Sequence, residues 1–434
     1  MVGFKISETQ KTWVMTSLNK PPTAIVEIRE LSLKVLHVIP SVAPRYGGPS
    51  QAVYTMCRAL QAQGTELLIA TTNADGEGKL PVVLGEKIVY QDAPTIFFSR
   101  QWSEALKYSL PLARWLDGNV KDFDLVHIHA VFSHACIAAA RACRKHNIPY
   151  IVRPLGTLDP WSLNRKRMRK RIFWHLGVKR MLDGAAAIHY TTAEEKRLVE
   201  AELGLGNGVV APNGIDLSFL DLQTEPFGGW QPQVGADPYV LALSRIHPKK
   251  GFELLIESFA SLKRQGMFGD WRLVFAGDGE AEYVNQLKRL ADRRGLNGNA
   301  VFTGWLDGER KYAALKDAAL LALPSYQENF GICVVEAMAY GVPVLVSPHV
   351  NLAPEIEEAG AGWVAPLGEE KLASALAEAL GNEQERRLRG DNGRKLARSF
   401  AASEIAVKLL DMYKCLIERH WHNPTGGSRW IVQS

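Results

Sequence analysis

Two glutamates, Glu328 and Glu336, stand with seven residues between them in the segment YQENFGICVVEAMAYGVPVLV (residues 326–346). Glu336 is preceded by two valines and followed by an Ala-Met-Ala run, and a carboxylate is rarely left in such company without a partner or a task. Along an α-helix, the spacing corresponds to roughly 12 Å, about the reach of a sugar–diphosphate–ribose unit. We therefore expect one glutamate to contact a sugar and the other to contact ribose hydroxyls. For Glu328, an ordinary carboxylate at a helix N-terminus is an adequate alternative.

A basic loop, SRIHPKKG (residues 244–251), follows a predicted strand. Arg245 offers a planar fork of donors and Lys250 a point charge, a pair that suits a diphosphate. A solvated basic loop is the alternative. The position of the loop at the end of a strand, beside the two glutamates, favours a ligand site.

Backbone donors are expected at two further turns. Gly47 and Gly48, in YGGPS (residues 46–50), allow N–H groups to approach an anion at a helix N-terminus, although a plain tight turn explains them equally well. The residues between the two glutamates would present free first-turn N–H groups to phosphates or sugar hydroxyls; they are Asn329, Phe330, Gly331 and Ile332.

Two histidines alternate in the strand-like segment VHIHAVFSH (residues 126–134). Side chains two residues apart in a strand point to the same face. His127 is expected to be partly buried with a backbone partner. His129 lies at the carboxyl end of the strand, and we expect it to face a ligand cleft.

Strand-like and helix-like segments alternate along the chain, which predicts βαβ units with parallel sheets. The alternation breaks at 209–238, a Pro- and Gly-rich stretch that we interpret as a hinge, and then restarts. We therefore predict an α/β protein with two doubly wound, Rossmann-like domains. The predicted boundaries are a loosely ordered extension at 1–33, a first domain at 34–215, a second domain at 216–400, a helix at 401–420 that packs back on the first domain, and a tail at 421–434.

Composition excludes several classes of protein. The chain has 434 residues, 47% of them hydrophobic, and a net charge of +5 from 51 basic and 46 acidic residues, so nucleic acid is not an expected partner. Its five cysteines form no CxxC pair and are expected to be reduced thiols of a cytoplasmic protein. A P-loop and a GxGxxG fingerprint are both lacking, which argues against phosphoryl transfer and nicotinamide chemistry.

Together these residues resemble the retaining glycosyltransferases of family 4, which have the GT-B fold. The resemblance covers about residues 34 to 420 and rests mainly on the two glutamates within PSYQENFGICVVEAMAYGVPVL. It is supported by SRIHPKKG, VFAGDGE, VFTGWL, APNGID and the Gly-Gly loop. One departure is visible: Ser244 stands where the family often has glycine before the arginine.

The resemblance implies a role for each candidate residue. Glu328 should contact the donor sugar and Glu336 the ribose, while Arg245 and Lys250 hold the diphosphate. The loop of Gly304 should read the base through its backbone. Gly48 should reach the diphosphate from the first domain, and His129 should lie near the transferred sugar.

The resemblance also implies the reaction and its partners. We expect retaining, metal-independent hexosyl transfer from a nucleotide-sugar to a glycan or lipid-linked acceptor, in polysaccharide or glycolipid synthesis, with no cofactor. UDP and GDP donors both remain open. Two alternatives are a nucleotide-sugar epimerase of similar shape and a non-catalytic nucleotide-sugar-binding protein.

The segment NRKRMRKRIFWHLGVKR (residues 164–180) is strongly basic, and on a helix Met168, Ile172 and Leu176 form an apolar stripe beside the charge. Two interpretations remain open. The helix is solvated with its stripe in the core, or it meets an anionic membrane as a peripheral contact on the cytoplasmic face.

Overall fold

The structure is a computed structural model that describes residues 32–164 and 167–422. The side chains of Arg167 and Arg169 are not described. The predicted extension at 1–33, apart from its last two residues, and the predicted tail, apart from residues 421 and 422, lie outside the described residues.

The first unit is an eight-stranded sheet in the order β10-β9-β8-β7-β1-β2-β6-β5, parallel except for the β5–β6 pair. Its strands are β1 (Lys34–Ser41), β2 (Glu66–Thr72), β5 (Lys87–Tyr90), β6 (Ala93–Phe98), β7 (Leu125–His129), β8 (Tyr150–Arg153), β9 (Ala187–Tyr190) and β10 (Gly208–Val210), with a small separate hairpin of β3 (Ala74–Asp75) and β4 (Gly78–Lys79). Its helices are α1 (Gly48–Ala62), α2 (Leu110–Asn119), α3 (His134–His146), α4 (Pro160–Asn164), α5 (Arg167–Phe173), α6 (Lys179–Asp183) and α7 (Ala193–Leu203), with a π-helical turn at Trp174–Val178.

The second unit is a six-stranded, fully parallel sheet in the order β13-β12-β11-β14-β15-β16. Its strands are β11 (Tyr239–Leu243), β12 (Arg272–Ala276), β13 (Ala300–Gly304), β14 (Leu320–Leu323), β15 (Val344–Val346) and β16 (Gly362–Val364). Its helices are α8 (Phe227–Trp230), α9 (Phe252–Arg264), α10 (Ala281–Arg293), α11 (Gly308–Lys316), α12 (Ile332–Tyr340), α13 (Ala353–Glu358), α14 (Glu369–Gly381) and α15 (Glu383–Arg398), followed by the last described helix, α16 (Ala402–His422).

Burial on both faces explains the strand sequences. Every residue of β11 and β14 is buried, as expected for central strands of a parallel sheet covered by helices on both sides. The covering helices are amphipathic; α9, for example, buries Phe252, Leu255, Ile256 and Phe259 at the spacing of one helix face. Each unit is therefore a doubly wound three-layer α/β domain, as the sequence predicts.

The chain passes between the units twice, and the two passages lie side by side. The N–H of Ile215 donates to the carbonyl of Phe400 at 2.8 Å, and the N–H of Ala402 donates to the carbonyl of Ile215 at 2.9 Å. Beyond this point α16 returns to the first unit, where Leu409 and Tyr413 are fully buried in the same cluster as side chains of β1 and α1. The two units are therefore joined at one place, opposite which they are separated by a cleft.

Two further findings bear on the sequence-based expectations. The predicted hinge segment 209–238 begins inside β10, because Val209 and Val210 pair with β9 at the edge of the first sheet. Within the described ranges, no helix has the length and apolar character needed to cross a bilayer.

Candidate active site

The carboxyl ends of the two sheets face one another across a cavity of about 690 Å³. Loops from both units line it, as expected for open α/β sheets. Most of the predicted site residues contribute to this lining: Gly47, Gly48, Arg245, Lys250, Glu328, Asn329, Phe330, Gly331, Ile332 and Glu336.

One ion pair joins the basic loop to the first glutamate. The Lys250 ammonium contacts Glu328 Oε2 directly, and both side chains are largely buried. Burial alone would raise the pKa of Glu328, but Lys250, Lys249 and Arg245 outweigh it and lower that pKa. Glu328 is therefore an ionised carboxylate surrounded by three cationic side chains.

The basic loop keeps its shape because two glycines approach it closely. A Cβ at Gly277 would lie 1.9 Å from the carbonyl oxygen of Ser244, and one at Gly279 would lie 2.0 Å from that of Ile246. These glycines belong to the VFAGDGE segment, and they allow its backbone to lie directly against the loop of Arg245.

A second ion pair involves the other glutamate. Lys311 Nζ, from α11, lies 2.6 Å from Glu336 Oε1. Burial by itself would lower the pKa of Lys311, but Glu336 outweighs it and the pKa is raised. The second oxygen, Oε2 of Glu336, is buried and has no hydrogen-bond partner among the described residues. It is an open acceptor in the cavity wall.

The segment between the glutamates is held from behind. The N–H of Glu328 donates to the carbonyl of His349 at 2.9 Å, and the N–H of Asn351 donates to the carbonyl of Glu328 at 2.9 Å. Gly331 then adopts a left-handed conformation, φ +75°, before the first turn of α12. Glu328 therefore lies in a fixed loop, and Glu336 lies in the second turn of a buried helix.

From the first unit, the Gly-Gly loop reaches across the cleft. A Cβ at Gly47 would lie 3.7 Å from Nε of Arg245, and one at Gly48 would lie 3.1 Å from Cδ1 of Ile332. The N-terminus of α1, which begins at Gly48, is thus placed beside the basic loop.

Comparison with known proteins agrees with this geometry. A family model described as Glycosyltransferase Family 4 matches residues 46–219, and one described as Glycosyl transferases group 1 matches residues 231–396. This chain is a family 4 glycosyltransferase. It is 29% identical to the phosphatidyl-myo-inositol mannosyltransferase of Mycobacterium leprae over 326 residues, which make up 74% of this chain and 79% of that protein.

Solved structures share the fold of this glycosyltransferase. Sucrose-phosphate synthase from Thermosynechococcus elongatus superposes with a TM-score of 0.72 at 20% identity, covering 89% of this chain and 99% of that one. HepE from Anabaena, in complex with UDP-glucose, superposes with a TM-score of 0.70 at 21% identity, covering 88% and 100%. The predicted GT-B architecture, two Rossmann-like domains facing across a cleft, is confirmed.

The expectation that His129 faces the cleft is wrong for this structure. Its ring is fully buried and stacks on those of His37 and His127, and its Nε2 lies 3.0 Å from Nδ1 of His37. His127 in turn contacts Tyr413 Oη at 2.7 Å. Strand alternation gives the correct face of the sheet, but α1 and α16 cover that face, so these histidines belong to the core of the first domain.

The same histidines form a cluster that the sequence spacing does not reveal. The ring nitrogens of His37, His127 and His129 lie within 4.8 Å of one another, the one group of three potential metal ligands among residues 32–164 and 167–422. Burial and the Arg153 guanidinium lower the pKa of His37 to about 3. Because the Arg153 guanidinium disfavours a positive charge on these rings, it also disfavours a bound divalent metal ion. None of the three histidines lines the cavity.

Within the predicted TGWL loop at 303–306, Gly304 itself does not line the cavity. It ends β13 with φ +73°, and its carbonyl accepts from the N–H of Gly277 at 2.8 Å. Trp305 and Leu306 of the same loop do line the cavity, together with Asp307.

Arg153 is a cavity residue that the sequence analysis missed. It is fully buried at the carboxyl end of β8, and its Nη2 donates to Oδ1 of Asn213 in the APNGID segment. Burial lowers the pKa of Arg153 to about 10. Lys311 was missed for a related reason, since neither residue forms a local sequence motif with its partner.

The basic segment leaves its apolar stripe in solvent. Met168, Ile172 and Leu176 are 74%, 55% and 71% exposed. The interpretation that this stripe lies in the core is therefore wrong. Apolar side chains four residues apart and exposed together beside arginine form a surface that is unusual for an isolated soluble domain.

Gly277→Ala should destabilise the second domain and shift the loop of Arg245. The added methyl group would overlap the Ser244 carbonyl oxygen, at 1.9 Å, and we expect a loss of about 2 kcal/mol or more in the free energy of unfolding. Gly368→Ala is the matched control, because its φ, +142°, is close to the +139° of Gly277 but nothing lies within 4 Å of its Cβ. Its cost should be the smaller of the two, about 1 kcal/mol. Equal shifts in denaturant midpoint for the two variants would contradict the close contact.

Proposed function

We propose that this glycosyltransferase moves a sugar, with retention of anomeric configuration, from a nucleoside-diphosphate donor to a glycan or lipid-linked acceptor. The observation that carries the proposal is the pair of buried glutamates, each ion-paired to a lysine, within one cavity beside Arg245. Such an arrangement offers separate contacts to the two ends of a nucleotide-sugar.

The Glu336 end suits a ribose. Its Oε2 is a buried acceptor with no hydrogen-bond partner among the described side chains and backbone groups. A ribose hydroxyl could donate a hydrogen bond to this oxygen. Lys311 balances the charge of this carboxylate whether or not the ribose is bound. We propose that the loop of Trp305 to Asp307, which lines the same cavity, meets the base. UDP and GDP remain alternatives for the nucleotide.

The Glu328 end suits the transferred sugar and the leaving group. Glycosyl transfer develops positive charge on the sugar ring and negative charge on the departing diphosphate. Glu328 is ionised and stabilises the first charge, while Arg245 and Lys250 stabilise the second. For retention, the acceptor hydroxyl attacks on the face that the diphosphate leaves, and a diphosphate oxygen takes the hydroxyl proton. We propose that these cations make a metal unnecessary.

A lipid-linked or glycan acceptor is supported by the relatives and by the surface. One relative is named for phosphatidyl-myo-inositol, a lipid, and others for amylovoran and colanic acid biosynthesis. The exposed stripe of Met168, Ile172 and Leu176, with Arg171 beside it, fits a peripheral contact with an anionic membrane on its cytoplasmic face.

Two other functions use the same cavity. An epimerase would convert the nucleotide-sugar without an acceptor, and a binding protein would leave it unchanged. Product analysis of a donor panel, with and without acceptor, separates all three. The ionised Glu328 surrounded by cations favours transfer.

Glu328→Gln should lower turnover on the order of 100-fold, because it removes the negative charge that stabilises the sugar in the transition state. Binding of the nucleoside diphosphate should stay close to that of the wild-type enzyme, since Arg245, Lys250 and Glu336 are retained. Calorimetric binding and steady-state transfer rates measure the two effects. Near-normal turnover would remove Glu328 from the mechanism.

Lys250→Ala should lower turnover more than Glu336→Ala does. Charge accumulates on the diphosphate only in the transition state, whereas the ribose contact is the same before and during the reaction. Glu336→Ala should act mainly on KM for the donor. Activity of the wild-type enzyme should also survive EDTA. Loss of activity in EDTA that magnesium restores would refute metal independence.

Binding to vesicles tests the membrane contact. The wild-type protein should sediment with anionic but not neutral vesicles, and less so at high salt, because each basic residue near such a surface adds about 1 kcal/mol. Replacing Met168, Ile172 and Leu176 with serine should weaken this binding. Val89→Ser is the control, since Val89 is 77% exposed but lies on β5. Equal binding to both vesicle types, or none, would leave the segment as a solvated helix.

A further inference from the structure

The loop of the first glutamate is held by the first domain as well as by the second. Asn329 follows Glu328 directly, and its side chain points away from the second domain to Thr191, with 3.0 Å between the amide and Thr191 Oγ1. Thr191 lies at the end of β9, in the first domain. The substrate contact predicted for Asn329 uses its backbone N–H, and its side chain is free to make this contact between domains.

The partner that makes this contact specific is Glu195. Glu195 is 1% exposed, on the first turn of α7. Its Oε2 accepts from the N–H of Thr191 at 2.8 Å and lies 2.9 Å from the Thr191 hydroxyl oxygen, and its Oε1 accepts from the N–H of Gly156 at 3.0 Å. Only one orientation of the Asn329 amide group pairs its nitrogen with an acceptor and its oxygen with a donor. In that orientation the nitrogen lies 2.8 Å from Glu195 Oε1.

Gly156 shows that the contact is close. It lies in the loop after β8 with φ +69°, and a Cβ there would be 2.8 Å from the Cβ of Asn329. Two separate segments of the first domain therefore converge on one side chain of the second: the loop of Gly156, and the junction of β9 and α7 that carries Thr191 and Glu195.

Glu195 makes more hydrogen bonds than the capping of α7 requires. Thr192 caps α7 by accepting from the N–H of Glu195 at 3.0 Å, and Glu195 bonds back to the N–H of Thr191, much as in a capping box. That role uses only Oε2. The bonds of Oε1 to Gly156 and Asn329 are additional, and the second one crosses the cleft.

We propose that Glu195 is a positioning residue that acts through Asn329. The carboxylate accepts from the Asn329 amide and fixes the loop of Glu328 relative to the first domain. This inference rests on the proposed function in one respect only, which is that Glu328 contacts the transferred sugar. The hydrogen bond between the domains does not depend on it.

Four variants test the pair. Asn329→Ala removes the donor, and Asn329→Asp places a second carboxylate against Glu195, where two like charges repel. Turnover should fall about 10- to 100-fold in Asn329→Ala, the range expected for losing a hydrogen bond to a charged group, and further in Asn329→Asp. Glu195→Gln keeps the shape of the side chain and one hydrogen bond between its amide group and that of Asn329. Its loss of turnover should therefore be smaller. The double variant Asn329→Asp/Glu195→Gln restores a donor–acceptor pair and should be more active than Asn329→Asp alone.

Small-angle scattering provides a readout that does not need activity. Addition of a nucleoside diphosphate should reduce the radius of gyration of the wild-type protein and of the double variant, but much less that of Asn329→Asp. Glu202→Gln is the control for Glu195→Gln. It removes the same negative charge from α7, but at an exposed position, and it should behave as the wild type. Thermal unfolding checks that each variant is folded.

The outcomes separate the two proposals. Suppose that the wild-type protein transfers no sugar from any donor, but the nucleoside diphosphate reduces its radius of gyration and not that of Asn329→Asp. The proposed function is then wrong, and the contact between domains stands. If Asn329→Ala and Asn329→Asp match the wild type in turnover and scattering, the positioning role is refuted. A folded double variant that is no more active and no more compact than Asn329→Asp also refutes it.

Discussion

The cavity depends on one physical constraint: a carboxylate taken out of water must be given a cation and hydrogen-bond donors. The enzyme buries two at the carboxyl edge of its second sheet. Glu328 is neutralised by Lys250 from the loop after β11, and Glu336 by Lys311 from α11. One pair joins the loop before α12 to the loop after β11, and the other joins α12 to α11. The ion pairs therefore hold the walls of the cavity in place before a ligand enters, and the ligand meets charges that are already oriented.

Local sequence features predicted much of this. Apolar runs in β11 and β14 predict buried parallel strands, and the apolar neighbours of Glu336 predict that this carboxylate has a task. What could not be predicted are pairings between distant segments. Lys311 lies on an ordinary amphipathic helix, and nothing in its surroundings signals that it faces Glu336. The same holds for Arg153, whose partner Asn213 is 60 residues away.

His129 shows a different limit. The two-residue period of a strand predicts which face a side chain takes, and His127 and His129 do share a face. The period does not predict what covers that face, and here the covering layer includes α16, which begins more than 250 residues later. The basic segment shows the converse. Its helical period predicts that Met168, Ile172 and Leu176 share a face, but whether that face lies in the core or in solvent depends on packing that the pattern does not contain, and all three side chains are exposed.

Glycine determines how closely the two domains meet. At two of the contacts across the cleft, the first domain supplies a glycine: Gly48 faces Ile332 and Gly156 faces Asn329. At these two contacts the backbone of one domain meets a side chain of the other, so the domains approach closely there. Because both passages of the chain lie together at Ile215, a small rotation there would open these contacts in concert. The basic loop of Arg245, the Gly-Gly loop and the hydrogen bond at Glu195 are therefore coupled through this one connection, and a bulkier residue at Gly48 or Gly156 would push the domains apart at both contacts.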